Sequence, residues 1–279
     1  MEIGLLLIAG GIATGLFGSL LGLGGGVLLV PLLTLGFDLP VREAVGVSLV
    51  CVIITSAASA TVFLDRQVAN LRLGMVLELF TAIGAIVGGT IAFLLDERFL
   101  AGLFSLLLVY TAVTMLRPRG RAVAGEGAAA EGDPADAPPE TSRTRLGDAM
   151  SGGTYRARNP IAGAVGGVGG GVMSALLGIG GGLVMVPVMH VVMRVPLRVA
   201  TATSNFMIGV TASTSAIVYL MKGGIDPYAT GPAAIGVFVG AAVGSRIAHR
   251  VDVGVLRLLF AAVLSYTAFL MARRALGVQ

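Results

Sequence analysis

Apolar residues run along this chain in long blocks separated by short polar links. The blocks lie at roughly 3–20, 24–37, 44–64, 73–95 and 99–116, and again at roughly 161–177, 180–193, 199–221, 228–248 and 253–272. Most approach ~20 residues, the length at which a helix crosses a hydrocarbon layer about 30 Å thick. The pattern predicts an all-α integral membrane protein with about ten hydrophobic helical segments. Between the two sets lies a polar stretch, 117–158, which contains the low-complexity run Ala124–Glu140. It has few large apolar side chains with which to offset its ordering entropy, and it is expected to be a disordered linker. The predicted organisation is a first membrane repeat at 1–116, a linker at 117–158 and a second membrane repeat at 159–279. Glu2, with no basic patch ahead of the first block, favours a retained span over a cleaved leader.

The two sets are copies. Leu21 to Pro31 reads LGLGGGVLLVP, and Leu177 to Pro187, 156 residues later, reads LGIGGGLVMVP. Residues 11–117 align with 167–273 without a gap, with roughly a third of positions identical. Pro40 matches Pro196, Arg42 matches Arg198, Ser48 matches Ser204, and Asp96 matches Asp252. Shared membrane composition would scatter Leu and Gly matches. It would not hold one register through Pro, Arg, Asp and Tyr.

Each half has five segments, an odd number, so the second half enters the membrane from the opposite face and the repeats are predicted to be inverted. That parity holds whether the first two segments are full spans or a glycine-interrupted, re-entrant hairpin. In the first half Arg66, Arg72 and seven linker arginines fall on one side, against Arg42 and Arg98 on the other. In the second half Arg194, Arg198, Arg246, Arg250 and Arg257 fall on that same side, against Lys222, Arg273 and Arg274. The positive-inside rule then puts the linker in the cytoplasm and the N-terminus outside, in a multi-pass protein of the plasma membrane.

Composition narrows the classes further. Apolar residues make up 56% of the chain and charged residues only 12%, against about 25% in soluble domains. The net charge of +4 does not indicate nucleic acid, because the arginines cluster at segment ends and in the linker. Cys51 is the single cysteine, so neither an intramolecular disulfide nor a cysteine metal cluster is available. An enzyme would want converging His, Asp, Glu or Cys inside the apolar segments. Only Glu78, His190 and Cys51 lie there, scattered and unrepeated. No enzyme activity, metal or cofactor is expected.

Paired glycine–proline interruptions at matching positions point to a transport site. Gly24, Gly25 and Gly26, with Gly180, Gly181 and Gly182, leave backbone N–H groups uncovered at a helix start, where they can face an anion. In inverted copies the two breaks converge from opposite faces. The same glycines also suit tight turns and helix packing. Ser48, and Thr203, Ser204 and Asn205, open long apolar segments shortly after a proline. Their hydroxyls and amide can donate to an oxyanion while staying neutral, which costs less in a bilayer than a charge; interhelical bonding is the plainer reading. Arg42 and Arg198 suit anion recruitment at the two mouths, or headgroup contact. Glu78 and His190 are candidates for proton coupling, or for ordinary interior residues. Gly84 with Gly88, and Gly240 with Gly244, are close-packing motifs, used within the protomer or at a homodimer contact.

The two LG(L/I)GGG…P motifs, the Pro-x-Arg-x-Ala links and the Ser/Thr-rich segment starts resemble the TauE/SafE sulfite-exporter family of bacterial and archaeal membrane proteins. The resemblance covers both membrane halves and not the linker. It implies a secondary carrier of small sulfur-containing anions such as sulfite, sulfoacetate or related organosulfonates, working by alternating access with proton coupling. An uncoupled anion channel, or an importer of another sulfur oxyanion such as thiosulfate, is the alternative. The partners implied are a small anionic substrate and the lipid bilayer. Where the family often has Gly-Thr-Ser, this chain has Gly46-Val47-Ser48 in one half and Ala202-Thr203-Ser204 in the other. A hydroxyl is missing at Val47, so the two halves are not expected to contribute equally.

Overall fold

The computed structural model describes residues 2–21, 25–65, 70–116, 159–247 and 253–277. The linker at 117–158 and Gly24 lie outside the described residues. The first half contains α1 (Glu2–Leu21), α2 (Gly26–Pro31), α3 (Val41–Asp65), α4 (Leu71–Ala92) and α5 (Glu97–Leu116). The second contains α6 (Pro160–Leu177), α7 (Gly182–Pro187), α8 (Leu197–Met221), α9 (Pro227–Ile247) and α10 (Val253–Ala275). Seven of these ten helices are long and apolar enough to cross a membrane by length and composition, and α3 reaches 25 residues.

Two helices are not long enough. α2 and α7 each continue beyond their proline as a π-helical turn, over Leu32–Gly36 and Val188–Val192. A proline has no N–H to give to the helix ladder and its ring crowds the carbonyl four residues back, so the wider turn follows directly. The combined stretches Gly26–Gly36 and Gly182–Val192 rise only about 16 Å, roughly half the hydrocarbon thickness. The second segment of each half is therefore a broken half-helix and not a full span. Every residue from Gly26 to Pro31 is buried in protein, where interrupted backbone is tolerated. Two residues beyond each stretch stands a left-handed residue at the same repeat position, Asp38 at φ 53° and Arg194 at φ 54°.

The halves exchange partners. α1 packs along α9 of the other half, and α6 packs along α4 in the same way. Gly11 and Gly15 of α1 meet Ala233 and Val237, while Gly236, Gly240 and Gly244 of α9 meet Ile8, Ile12 and Leu16. Both helices ascend together, so the pair is parallel. Gly84 and Gly88 of α4 lie in the same manner against Val168 and Val172 of α6. These close-packing motifs are used inside the protomer.

α5 and α10 are equivalent helices, and they pack antiparallel. Ser105 donates to the Ala268 carbonyl at 2.9 Å, Gly102 faces Ala275, and the Arg98 guanidinium lies beside Gly277. Equivalent helices running in opposite directions are the signature of an inverted repeat. α3 and α8 are likewise equivalent and cross near Val52 and Ile208, which are themselves repeat partners. A Cβ added at Gly180 would sit 2.9 Å from Val52 Cγ1 and 2.6 Å from Ile208 Cγ2, so both side chains close on that turn. The local two-fold relation passes through this crossing. The outer faces carry Leu5, Leu6, Leu79, Ile83, Leu106, Tyr110 and Tyr266, all exposed as lipid-facing residues should be.

Candidate functional site

The glycine turns meet at the α3–α8 crossing. Gly25 has φ 75°, and Gly178, Gly180 and Gly181 have φ 67°, 75° and 75°, a region costly for residues with a Cβ. A Cβ on Gly26 would lie 2.6 Å from the Gly178 carbonyl oxygen and 2.9 Å from Ser48 Oγ. A Cβ on Gly182 would lie 2.4 Å from Ile208 Cδ1 and 3.3 Å from Ser204 Oγ. The structure thus brings Gly26, Ser48, Gly180, Gly182 and Ser204 together, although Ser48 and Ser204 are 156 residues apart. Gly25 and Gly181 sit one position away, facing α1 and α6.

The two serines have different lives. Ser48 donates to the Gly178 carbonyl at 2.8 Å and lies 3.4 Å from the Gly26 carbonyl. Ser204, at 1% exposure, has no partner for its hydroxyl among the described residues. The first serine locks the turn of the opposite half, and the second makes no such bond among the described residues.

Thr203, beside Ser204, is engaged elsewhere. Thr203 Oγ1 accepts the Asn70 N–H at 3.0 Å, and Asn70 in turn caps α4 by accepting the Leu73 N–H at 3.0 Å. The backbone carbonyl of Asn205 accepts from Ser56 Oγ at 2.7 Å. Arg42 donates to the Ala92 carbonyl at 3.2 Å and the Leu95 carbonyl at 3.0 Å, with its guanidinium 5.1 Å from the Phe93 ring centroid. It closes the C-terminus of α4, where exposed carbonyls and the helix dipole favour a cation. The side chain of Arg198 lies outside the described residues. His190 is exposed, and its Nδ1 is 3.0 Å from the Val195 carbonyl, across the end of the π-helical turn.

Glu78 is the one buried acidic side chain among the described residues. Its Oε1 accepts from Thr211 Oγ1 at 2.9 Å, and Thr211 Oγ1 lies 3.2 Å from Thr81 Oγ1. Oε2 has no partner among the described residues. The cluster joins α4 to α8. Sequence reading named Glu78 and missed Thr81 and Thr211, because a hydroxyl in an apolar helix carries no sign of which neighbour it will face. It also missed Tyr219, fully buried with its hydroxyl donating to the Ala175 carbonyl at 2.8 Å.

The profile of the sulfite exporter TauE/SafE family matches residues 7–271, nearly the whole chain. This chain belongs to the TauE/SafE family. A probable membrane transporter protein of Bacillus subtilis (strain 168) is 26% identical over 269 residues, covering 91% of this chain and 93% of that protein. A probable membrane transporter protein of Methanocaldococcus jannaschii is 29% identical over 226 residues, covering 77% of this chain and 72% of that protein. No solved structure matches. As a TauE/SafE member the chain is a multi-pass membrane transporter of the sulfite-exporter type and not an enzyme.

Within that family setting the geometry makes Arg42 a support for α4. Arg42→Gln is expected to lower stability by about 2 kcal/mol, from lost charge-assisted bonds to two carbonyls, while leaving the salt dependence of transport unchanged. Thermal melts and uptake across a range of ionic strength check this. A variant with wild-type melting and a flattened salt dependence would instead make Arg42 an anion-recruiting group.

Proposed function

We propose that this TauE/SafE member is a secondary transporter that moves small sulfur-containing anions, such as sulfite, sulfoacetate or related organosulfonates, across the cytoplasmic membrane by alternating access. The observation that carries the reading is the meeting of two glycine turns, one from each inverted half, around the Ser48–Ser204 pair, with the Ser204 hydroxyl unpartnered among the described residues. Gly26, Val27, Gly182 and Leu183 open helices, so their N–H groups have no intrahelical acceptor. Together with the Ser204 hydroxyl they form a set of neutral donors, suited to an anion in a setting where a buried lysine would be costly. Asn205 and Thr203 adjoin this set on α8.

The inverted halves suit rocking about a fixed central site. Glu78 is the coupling group in this reading, because it is the one buried acid among the described residues and can carry a proton between faces. The arginine asymmetry supports an outside N-terminus and a cytoplasmic linker. A homodimer remains compatible with the exposed apolar faces of α5 and α10.

Purified protein in liposomes tests the reading. Uptake of sulfite, sulfate, thiosulfate and sulfonates is measured with and without a pH gradient. Saturable sulfite or sulfonate uptake, stimulated by the gradient, is the expected result. Non-saturating flux that ignores the gradient would indicate a channel. If no sulfur anion moves faster than in empty vesicles, the substrate assignment fails.

A further inference from the structure

Three buried side-chain oxygens lack a hydrogen-bond partner among the described residues: Glu78 Oε2, Ser174 Oγ and Ser204 Oγ. They lie on α4, α6 and α8, three helices that pack on one another. Their repeat equivalents are Ala234, Gly18 and Ser48. Alanine and glycine offer no hydroxyl, and Ser48 is satisfied by the Gly178 carbonyl at 2.8 Å. The unused oxygens therefore belong to one of two pseudo-equivalent helix groups and are absent from these positions in the other.

A hydroxyl in a helix can satisfy itself on the carbonyl one turn back. On α8 the buried Ser215 does so at 3.0 Å, as do the less buried Ser213 and Thr214 at 2.7 and 3.1 Å. Ser174 and Ser204 do not, although they are 0% and 1% exposed. Both adjoin the same turn. A Cβ on Gly181 would be 3.5 Å from Ser174 Cβ, and one on Gly182 would be 3.3 Å from Ser204 Oγ. The two serines thus flank adjacent residues of a backbone turn that has no side chains of its own at Gly180, Gly181 and Gly182.

We propose that Ser174 is a second anion-binding residue, paired with Ser204 across the Gly178–Gly182 turn, so that the second half supplies most of the side-chain contacts to the ligand. This rests on the anion-site reading above. Two neutral hydroxyl donors on either side of a bare turn suit a small oxyanion with at least two acceptor oxygens. The first half supplies the complementary wall: Val52, and Ser48 holding the turn in place through Gly178. The arrangement explains why a duplicated motif need not make a symmetric site. Ser174 has only Gly18 opposite it in the repeat, and Ser204 has a partner-bound Ser48.

Sulfite binding to the purified full chain, measured by calorimetric titration beside thermal melts without ligand, tests the pairing. Ser174→Ala and Ser204→Ala are each expected to weaken sulfite about tenfold, from loss of one hydrogen bond to a charged ligand. The ligand-free melting temperature of Ser174→Ala is expected to stay level or rise, because the change removes an unsatisfied buried group. Ser174→Cys keeps the volume with a weaker donor and is expected to weaken sulfite by a smaller factor, which guards against a folding artefact. Wild-type sulfite affinity in Ser174→Ala and Ser174→Cys, beside a loss in Ser204→Ala, would overturn the role of Ser174 and leave the anion site standing. A wild-type protein that binds no sulfite would remove the site itself and the pairing with it.

Discussion

Gly84→Ala and Gly240→Ala are each expected to lower the melting temperature of the purified protein by about 5–10 °C, and by similar amounts. The two glycines are repeat equivalents in different halves. A methyl at Gly84 would stand 2.1 Å from the Val168 carbonyl oxygen, and one at Gly240 would stand 2.1 Å from the Ile12 carbonyl oxygen. In each case the carbonyl carbon and Cα of the same residue lie within 3 Å as well. The obstacle is backbone, so no rotamer change relieves it and the helices must separate. Forcing an extra methyl into a packed interface costs about 1–3 kcal/mol, and a kilocalorie shifts the melting point of a chain this size by about 2–4 °C. Gly169→Ala is the control, since nothing lies within 4 Å of its added methyl. There the helix propensity gain of about 0.5–1 kcal/mol should show as no loss or a small rise. Equal melting of Gly84→Ala and wild type would mean that α4 and α6 do not pack as described.

Glu78→Gln is expected to abolish the stimulation of anion uptake by a pH gradient in liposomes, leaving uptake at the level seen without one. Glutamine has nearly the shape of glutamate, and its amide oxygen can still accept from Thr211 as Oε1 does at 2.9 Å. Packing between α4 and α8 is therefore kept, while the group can no longer take up and release a proton. An ionisable side chain at this depth in an apolar bundle is costly to keep for packing alone. Its repeat position holds Ala234, so the fold manages without a carboxyl there. His190, the other candidate, is exposed at the edge of a π-helical turn and tied to a backbone carbonyl, which leaves Glu78 as the better-placed group. A Glu78→Gln protein whose uptake still rises with the gradient would take the coupling role away from this residue.

Some of the candidate site was legible before any fold was known. The glycine motifs announced themselves because duplication preserved their register, and Ser204 followed from its place after Pro196. Other parts were hidden. Ser174 sits in a glycine-rich helix and has Gly18 as its repeat counterpart, so nothing in the sequence marks that its buried hydroxyl lacks a partner among the described residues. Thr203 and Ser204 are adjacent in sequence and chemically alike, yet helical geometry turns one toward the start of α4 and the other toward the glycine turn. Arg42 read as a charge near a membrane mouth, and the fold makes it the closing contact of α4 because Ala92, at the end of that helix, and Leu95, in the turn after it, present their carbonyls to it.

The chain by itself determined that it is a membrane protein, that it is duplicated and that the copies are inverted. Those conclusions follow from composition, register and the parity of crossings, which are sums over many residues and survive local error. Which helices touch was decided only in three dimensions. α1 leaves its own half to pack on α9, and α6 leaves its own to pack on α4, because glycine stripes fit where backbones can approach within van der Waals range, and a stripe does not name its partner. The same holds for the difference between Ser48 and Ser204. Residues of both glycine motifs lie at the α3–α8 crossing, and hydrogen bonding there satisfies Ser48, while Ser204 has no partner among the described residues.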